Sequence, residues 1–133
     1  MHIGAVAERT ELSIRTLRHY DEVGLVPPSA RSEGGFRLYT EADVERLRTI
    51  RRMKPLGFTL DEMRQLLAAI SVLRAADPTS ADREAALAVV VTCHQRALAS
   101  CAQLRRQLAY AEELTSLLDA IAGDAEAGAS AGS

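Results

Sequence analysis

Arg15 and Arg18 stand three residues apart in "SIRTLRHYDEVGL", with Thr16 and His19 beside them. On a helix, residues at i and i+3 lie one turn apart on neighbouring faces. Two guanidinium forks with a hydroxyl and an imidazole make a surface suited to phosphates and base edges in a DNA major groove. Further on, "RSEGGFRLY" sets Arg31, Arg37 and Tyr39 around a Gly-Gly pair, two cations and a phenol able to hold backbone beside the same site. The candidate contact residues are therefore Arg15, Thr16, Arg18, His19, Tyr20, Arg31, Arg37 and Tyr39. Arg18 and Tyr39 are expected on backbone and Arg15 nearer the bases. Tyr20 equally has the spacing of a core residue after Ile14 and Leu17. Tyr39 divides between a phosphate hydrogen bond and packing of the hairpin.

The elements that must position these side chains are legible nearby. Ile3, Val6, Ala7 and Thr10 recur at helical spacing. Ser13 then stands where an N-cap belongs, and a second helix follows. Gly24 can end it in a left-handed cap, and Pro27-Pro28 forbid its continuation. Two short helices about three residues apart, the second opening on Ser, form a helix-turn-helix pattern. Gly34-Gly35 reads as a two-residue hairpin turn. After it Phe36 and Leu38 alternate with Arg37 and Tyr39, which predicts Phe36 and Leu38 packed inward and the cation and phenol facing out. Thr40 with Asp43 opens a third helix whose inner positions are Val44, Leu47, Ile50 and Met53. Thr59 with Glu62 is a capping box for a fourth, with Leu60, Met63, Leu66, Leu67 and Ile70 inward. The run from Arg46 to Lys54 reads as part solvated face, part weak phosphate field, with no member assigned.

This places a DNA-binding domain over residues 1–70 and a connector over 71–81. From Asp82 to Ala122 there is no Pro or Gly, so one helix over 82–122 is predicted, about 60 Å long at about 1.5 Å per residue. Its stripe runs Leu87, Val90, His94, Ala97, Cys101, Leu104, Leu108, Ala111, Thr115, Leu118, close to heptad spacing. A long helix with one apolar seam needs a partner, and the economical partner is its own copy. The Gly/Ala/Ser-rich tail, 123–133, is expected to be disordered.

Composition bounds the partners. The net charge of −2 argues against a generic polyanion binder. Residues 1–70 carry 11 Lys+Arg against 10 Asp+Glu, and residues 71–133 carry 5 against 8. Local placement of arginine, which supplies 15 of the 16 basic residues, must therefore do the work. No secretory signal and no uncharged run of the ~20 residues needed to cross a bilayer is evident, so a cytoplasmic, reduced protein away from membranes is expected. Cys93 and Cys101 are eight apart, about 80° around a helix and about 12 Å along it, so one chain cannot chelate a metal with both. They read as small buried hydrophobes; metal or thiol sensing across a dimer is the alternative. His2, His19 and His94 are scattered, and no phosphate loop or nucleophile motif is present. No enzymatic activity and no cofactor is expected.

Residues 3–70 resemble the MerR-type winged helix-turn-helix transcriptional regulators. The resemblance rests on "S-x-x-T-L-R-x-Y-D-x-x-G-L", "G-x-R-x-Y" and "L-x-x-I-x-x-x-x-x-L-G-F-x-L-D-E", together and in this order. It implies a mostly α fold: a winged helix-turn-helix domain with two wings, then a long antiparallel coiled-coil dimerisation helix. It further implies double-stranded promoter DNA as partner, with a homodimer that bends and untwists an overlong promoter spacer so that RNA polymerase can use it. His19 departs from the family pattern, where an aromatic Tyr is common. The family's metal sensors carry a thiolate pair after the long helix, and that region has no Cys here. A coiled-coil protein-interaction module is the competing reading from another class.

Overall fold

The computed structural model describes residues 1–131. Helices α1 (Ile3–Thr10) and α2 (Ile14–Glu22) come first, then strands β1 (Ala30–Arg31) and β2 (Arg37–Leu38). Helix α3 (Glu41–Met53), a 3-10 turn (Lys54–Leu56), α4 (Leu60–Arg74) and α5 (Ser80–Ala131) follow. The chain forms two units, residues 1–93 and 94–133.

The first unit is built round one apolar core. Val6 of α1, Leu17 and Tyr20 of α2, and Val44, Leu47, Ile50 and Met53 of α3 meet there with Val26, Phe58, Met63 and Leu67. All four positions expected inward on α3 are buried. On α4 the buried residues are Met63, Leu67 and Ala69, while Leu60, Leu66 and Ile70 are half-buried.

Local chemistry ends each helix where it must. Ser13 Oγ accepts from the Thr16 amide at 3.0 Å, capping α2. At its other end Leu25 N donates to Tyr20 O and Gly24 N to Asp21 O, with Gly24 at φ 70°. That pair of bonds satisfies the last carbonyls and turns the chain out of the helix. In the turn between α1 and α2, Glu11 takes φ 58°, a left-handed conformation that disfavours a Cβ.

The hairpin differs from expectation in two ways. Ala30 pairs with Leu38 and Arg31 with Arg37. Ser32 N donates to Phe36 O and Gly35 N to Ser32 O, both at 2.9 Å. The loop is thus Glu33-Gly34-Gly35, three residues ending on Gly35 at φ 79°, instead of a two-residue Gly34-Gly35 turn. The faces are also reversed at the strand end. Phe36 is 68% exposed whereas Tyr39 is 2% exposed. With period-2 side chains a single inward anchor sets every neighbour, and that anchor is Arg37, drawn to Asp21 of α2.

Asp43 closes the hairpin at its base. Its Oδ2 accepts from Ser29 N (3.2 Å), Ser29 Oγ (2.6 Å) and Thr40 N (2.9 Å), and its Oδ1 from Arg46 (2.9 Å). The residue before β1 and the residue capping α3 are therefore held by one carboxylate that is 1% exposed.

Three boundaries move from those expected. Helix α4 continues four residues beyond 70, to Arg74. Helix α5 starts at Ser80, with Thr79 Oγ1 accepting from Asp82 N at 3.2 Å. It also runs on to Ala131, where a disordered tail from 123 was expected. Gly123 and Gly128 each cost only about 1 kcal/mol in a helix, and the alanines around them are the best helix formers. Residues 132 and 133 of that expected tail lie outside the described residues. One stretch of α5 meets the length and mean hydropathy of a membrane span, but it is not uncharged. Arg96 stands inside the most apolar part of this helix, where a bilayer centre would penalise it by about 2.5–3.5 kcal/mol.

Burial alone would push the Asp43 carboxyl up, but hydrogen bonds from Ser29 and Thr40 outweigh it and hold the group below its ordinary range. A depressed folded value means stability that is complete above the unfolded value, about pH 4, and lost as pH falls through the folded one. Asp43→Ala should lower unfolding stability by roughly 3 kcal/mol and flatten this acid limb; urea unfolding between pH 2 and 7 measures both. Glu11→Gly should raise stability by about 1 kcal/mol through relief at the left-handed position, read as a higher thermal midpoint.

Candidate nucleic-acid interface

Helix α2 carries the site on two sides. Arg15, Arg18 and His19 are exposed, and Thr16 is half-buried with its hydroxyl oxygen accepting from Ser13 Oγ at 2.8 Å. These four line a groove of about 530 Å³ together with Tyr20, Glu22 and Lys54. Tyr20 is 3% exposed and a member of the core, so its role is to seat α2. Its burial raises the phenol above the ordinary value. The His19 ring lies 6.0 Å from the Tyr20 ring at 43°.

On the other side Asp21 gathers the hairpin cations. Arg37 Nε donates to Asp21 Oδ2 at 2.7 Å and Arg31 Nη2 to the same oxygen at 3.0 Å. Arg31 also reaches Gly35 O at 3.4 Å. Burial pushes Asp21 up, but the Arg37 and Arg31 guanidiniums outweigh it and the carboxyl lies below its ordinary range. One carboxylate thus holds two cations, leaving the hairpin base one positive charge in excess. Arg37 spends only its Nε on Asp21, so its terminal N–H groups stay available to an outside acceptor.

Tyr39 does not present its phenol to solvent. Its hydroxyl is buried and without a hydrogen-bond partner among the described residues. Burial, then Asp21, raise its pKa above the ordinary value. A Tyr39–phosphate contact would require the side chain to leave the core.

About half of the arginines are paired within the fold. Arg9, Arg31, Arg37, Arg46, Arg48, Arg51 and Arg64 each pair with a carboxylate. Arg15 and Arg18, like Arg52, Arg74, Arg83, Arg105 and Arg106, have no such partner among the described residues. Neither has Lys54, which the sequence reading left unassigned. Its approach to α2 depends on how α3 packs, and no local pattern encodes that. Phe36 was likewise missed as an exposed tip, although Arg37 beside Asp21's sequence spacing offered no cue either.

A capped helix-turn-helix with unpaired arginines on its second helix and an ion-paired hairpin behind it defines a winged helix-turn-helix DNA-binding protein. Residues 1–70 match the model for "MerR HTH family regulatory protein", and residues 44–121 that for "MerR, DNA binding". The chain belongs to the MerR family of transcriptional regulators.

Among its relatives, the heavy metal-dependent transcription regulator 2 of Rhizobium meliloti is 32% identical over 92% of this chain and 75% of that protein. The transcriptional activator mta of Bacillus subtilis is 46% identical over 82 residues, 62% of this chain. The match spans only 28% of the length of mta. The crystal structure of HiNmlR, described as a MerR family regulator lacking the sensor domain and bound to promoter DNA, shares the fold. Its TM-score is 0.66 at 24% identity, over 86% of each chain.

Asp21→Asn should loosen the hairpin from α2. The Ser32 amide, bonded to Phe36 O, is expected to exchange with solvent roughly tenfold faster, with the amides of the α3 core unchanged. Hydrogen exchange followed by NMR makes the comparison.

Proposed function

We propose that this chain regulates transcription by binding double-stranded promoter DNA as a homodimer. Helix α2 enters the major groove, Arg15 and Thr16 lie toward base edges, and Arg18 and His19 contact backbone. Arg31 and Arg37 brace the hairpin and offer their spare N–H groups to flanking phosphates. Tyr20 and Tyr39 act from the core, as supports.

The observation that carries this reading is the placement of Arg15 and Arg18, exposed on the second helix of a capped helix-turn-helix. Seven other arginines pair with carboxylates, whereas these two lie three residues apart on one helix with no such partner among the described residues. HiNmlR, which shares the fold and is bound to promoter DNA, supports the same partner.

Helix α5 supplies the second copy. Leu87, Leu98, Leu104, Leu108 and Leu118 are each more than two-fifths exposed, an apolar seam that an antiparallel copy would cover. Two α2 helices then meet successive half-sites. Bending and untwisting the spacer between them brings the promoter elements into a register that RNA polymerase can use, and the setting is the cytoplasm. Sensing is a second reading, favoured by the name of the Rhizobium relative. It would use Cys93, which is half-buried against the core, and Cys101. Cys93→Ser with Cys101→Ser would then abolish any metal- or oxidant-dependent change in transcription.

Fluorescence anisotropy on duplexes tiled upstream of the chain's own gene tests the main reading. One tile should bind tightly, and Arg18→Ala should weaken it about tenfold while reducing the salt slope by about 1. Weak, tile-independent binding indifferent to Arg18→Ala would refute it. Leu104→Glu with Leu108→Glu should shift sedimentation from dimer to monomer.

A further inference from the structure

Helix α5 carries a second apolar stripe that the seam does not use. Tyr110, Leu114, Leu117 and Ile121 follow one another at helical spacing, and each is more than half exposed. At about 3.6 residues per turn, this stripe lies about 110° round the helix from Leu104, Leu108 and Leu118. A copy that covers the seam therefore leaves it bare, and a contiguous apolar surface of this kind marks an interaction site. Its surroundings are acidic. Residues 107–131 hold Glu112, Glu113, Asp119, Asp124 and Glu126 and no Lys or Arg. Glu113 follows Tyr110 by three positions and Asp124 follows Ile121 by three, so both flank the stripe.

The first unit holds a groove of opposite character. Between α3 and α4, Arg46, Arg52 and Arg74 line a groove of about 550 Å³ over Leu67 and Ile70. Leu67 is buried and Ile70 half-buried. Glu41 and Glu45 also border the groove, but Arg9 and Arg48 hold them. Arg46 is joined to Asp43, whereas Arg52 and Arg74 have no carboxylate partner among the described residues. An apolar floor with a cationic rim complements an acidic helix that presents one apolar stripe.

We propose that the acidic C-terminal half of α5 docks into the α3–α4 groove of a second copy, its stripe on the apolar floor and Glu113 and Asp124 toward Arg52 and Arg74. The proposal rests on the homodimer reading above and adds a second surface to it. Antiparallel pairing supplies the placement. Setting the small Ala97 and Cys101 of one helix against Leu108 and Leu104 of the other brings Leu87 beside Leu118. Residues 110–121 of one copy then run past residues 84–95 of the other. Residues on the same flank of the seam meet in an antiparallel pair. On the flank of the stripe stand Val89 and Cys93, both half-buried, and Cys93 packs against the core of the first unit. The stripe of one copy is thus delivered to the first unit of the other. Docking there ties each helix-turn-helix to the opposite long helix, so a surface contact sets the separation of the two α2 helices.

Hydrogen exchange of the full chain, paired with sedimentation, tests this. Leu114→Ser with Leu117→Ser should leave a dimer, while the amides of residues 69–74 in α4 exchange roughly tenfold faster. Arg52→Glu with Arg74→Glu should have the same effect. Adding Glu113→Arg with Asp124→Arg should then restore slow exchange, which a merely disrupted groove would not allow. The monomeric Leu104→Glu, Leu108→Glu chain should exchange fast at α4 although its stripe and groove are intact. Unchanged α4 exchange in the serine variant, no rescue by reversed charges, or slow exchange in the monomer overturns the proposal and leaves the coiled-coil dimer standing. A serine variant that falls to monomers also overturns it, because the stripe then belongs to the seam. Wild type that sediments as a monomer removes the homodimer reading and the proposal together.

Discussion

The buried carboxylate of Asp43 is the point through which the hairpin, α3 and the loop after α2 are joined. A two-stranded hairpin is at best marginally stable alone in water, and this one has strands of two residues each. What holds it is the closure of its base. Ser29 and Thr40, eleven positions apart, donate to the same Oδ2. Leaving an ionised carboxylate in the interior is costly unless its lone pairs are met. Four donors meet those of Asp43, which is why burial does not neutralise it. Because Thr40 also caps α3, the hairpin base and the start of the core helix move as one piece.

From that base a second acid sets the orientation. Asp21 pulls Arg37 inward and thereby decides which strand residues face the domain. The hairpin is tied to α3 by Asp43 and to α2 by Asp21, so its position relative to α2 is determined by two carboxylates. Met1 adds a third connection, since its backbone oxygen accepts from Tyr39 N at 2.8 Å. The exposed face of α2 then needs no support of its own. Leu17 and Tyr20 anchor the helix from beneath, and Arg15, Arg18 and His19 point outward as a consequence.

Local signals in the sequence predicted local structure well. The capping residues Ser13, Thr40 and Thr59 and the left-handed Gly24 act through atoms within a few positions of themselves, and they mark the helix ends as observed. The four inward positions of α3 follow from helical period alone. The hairpin faces did not, because period 2 states only that residues alternate and leaves the phase to a distant partner. Asp21 lies sixteen positions before Arg37, and nothing near either residue announces their pairing. Tyr39 shows the same limit, as does Lys54, whose place beside α2 depends on helix packing. At the C-terminus the error was one of weighting. Glycines suggested a stop, but Gly123 and Gly128 sit among alanines whose propensity outweighs them.

The internal pairing of so many arginines bears on how the protein finds its site. A chromosome presents a vast excess of wrong sequences, and every unneutralised cation raises affinity for all of them equally. Here the fold pairs seven arginines with six carboxylates, and the chain as a whole carries a net charge of −2. Part of the attraction for DNA in general is thereby removed, so fewer molecules are sequestered on it. A small pool of such a protein stays free to diffuse between sites, and its residence on any one of them is decided by the base sequence there.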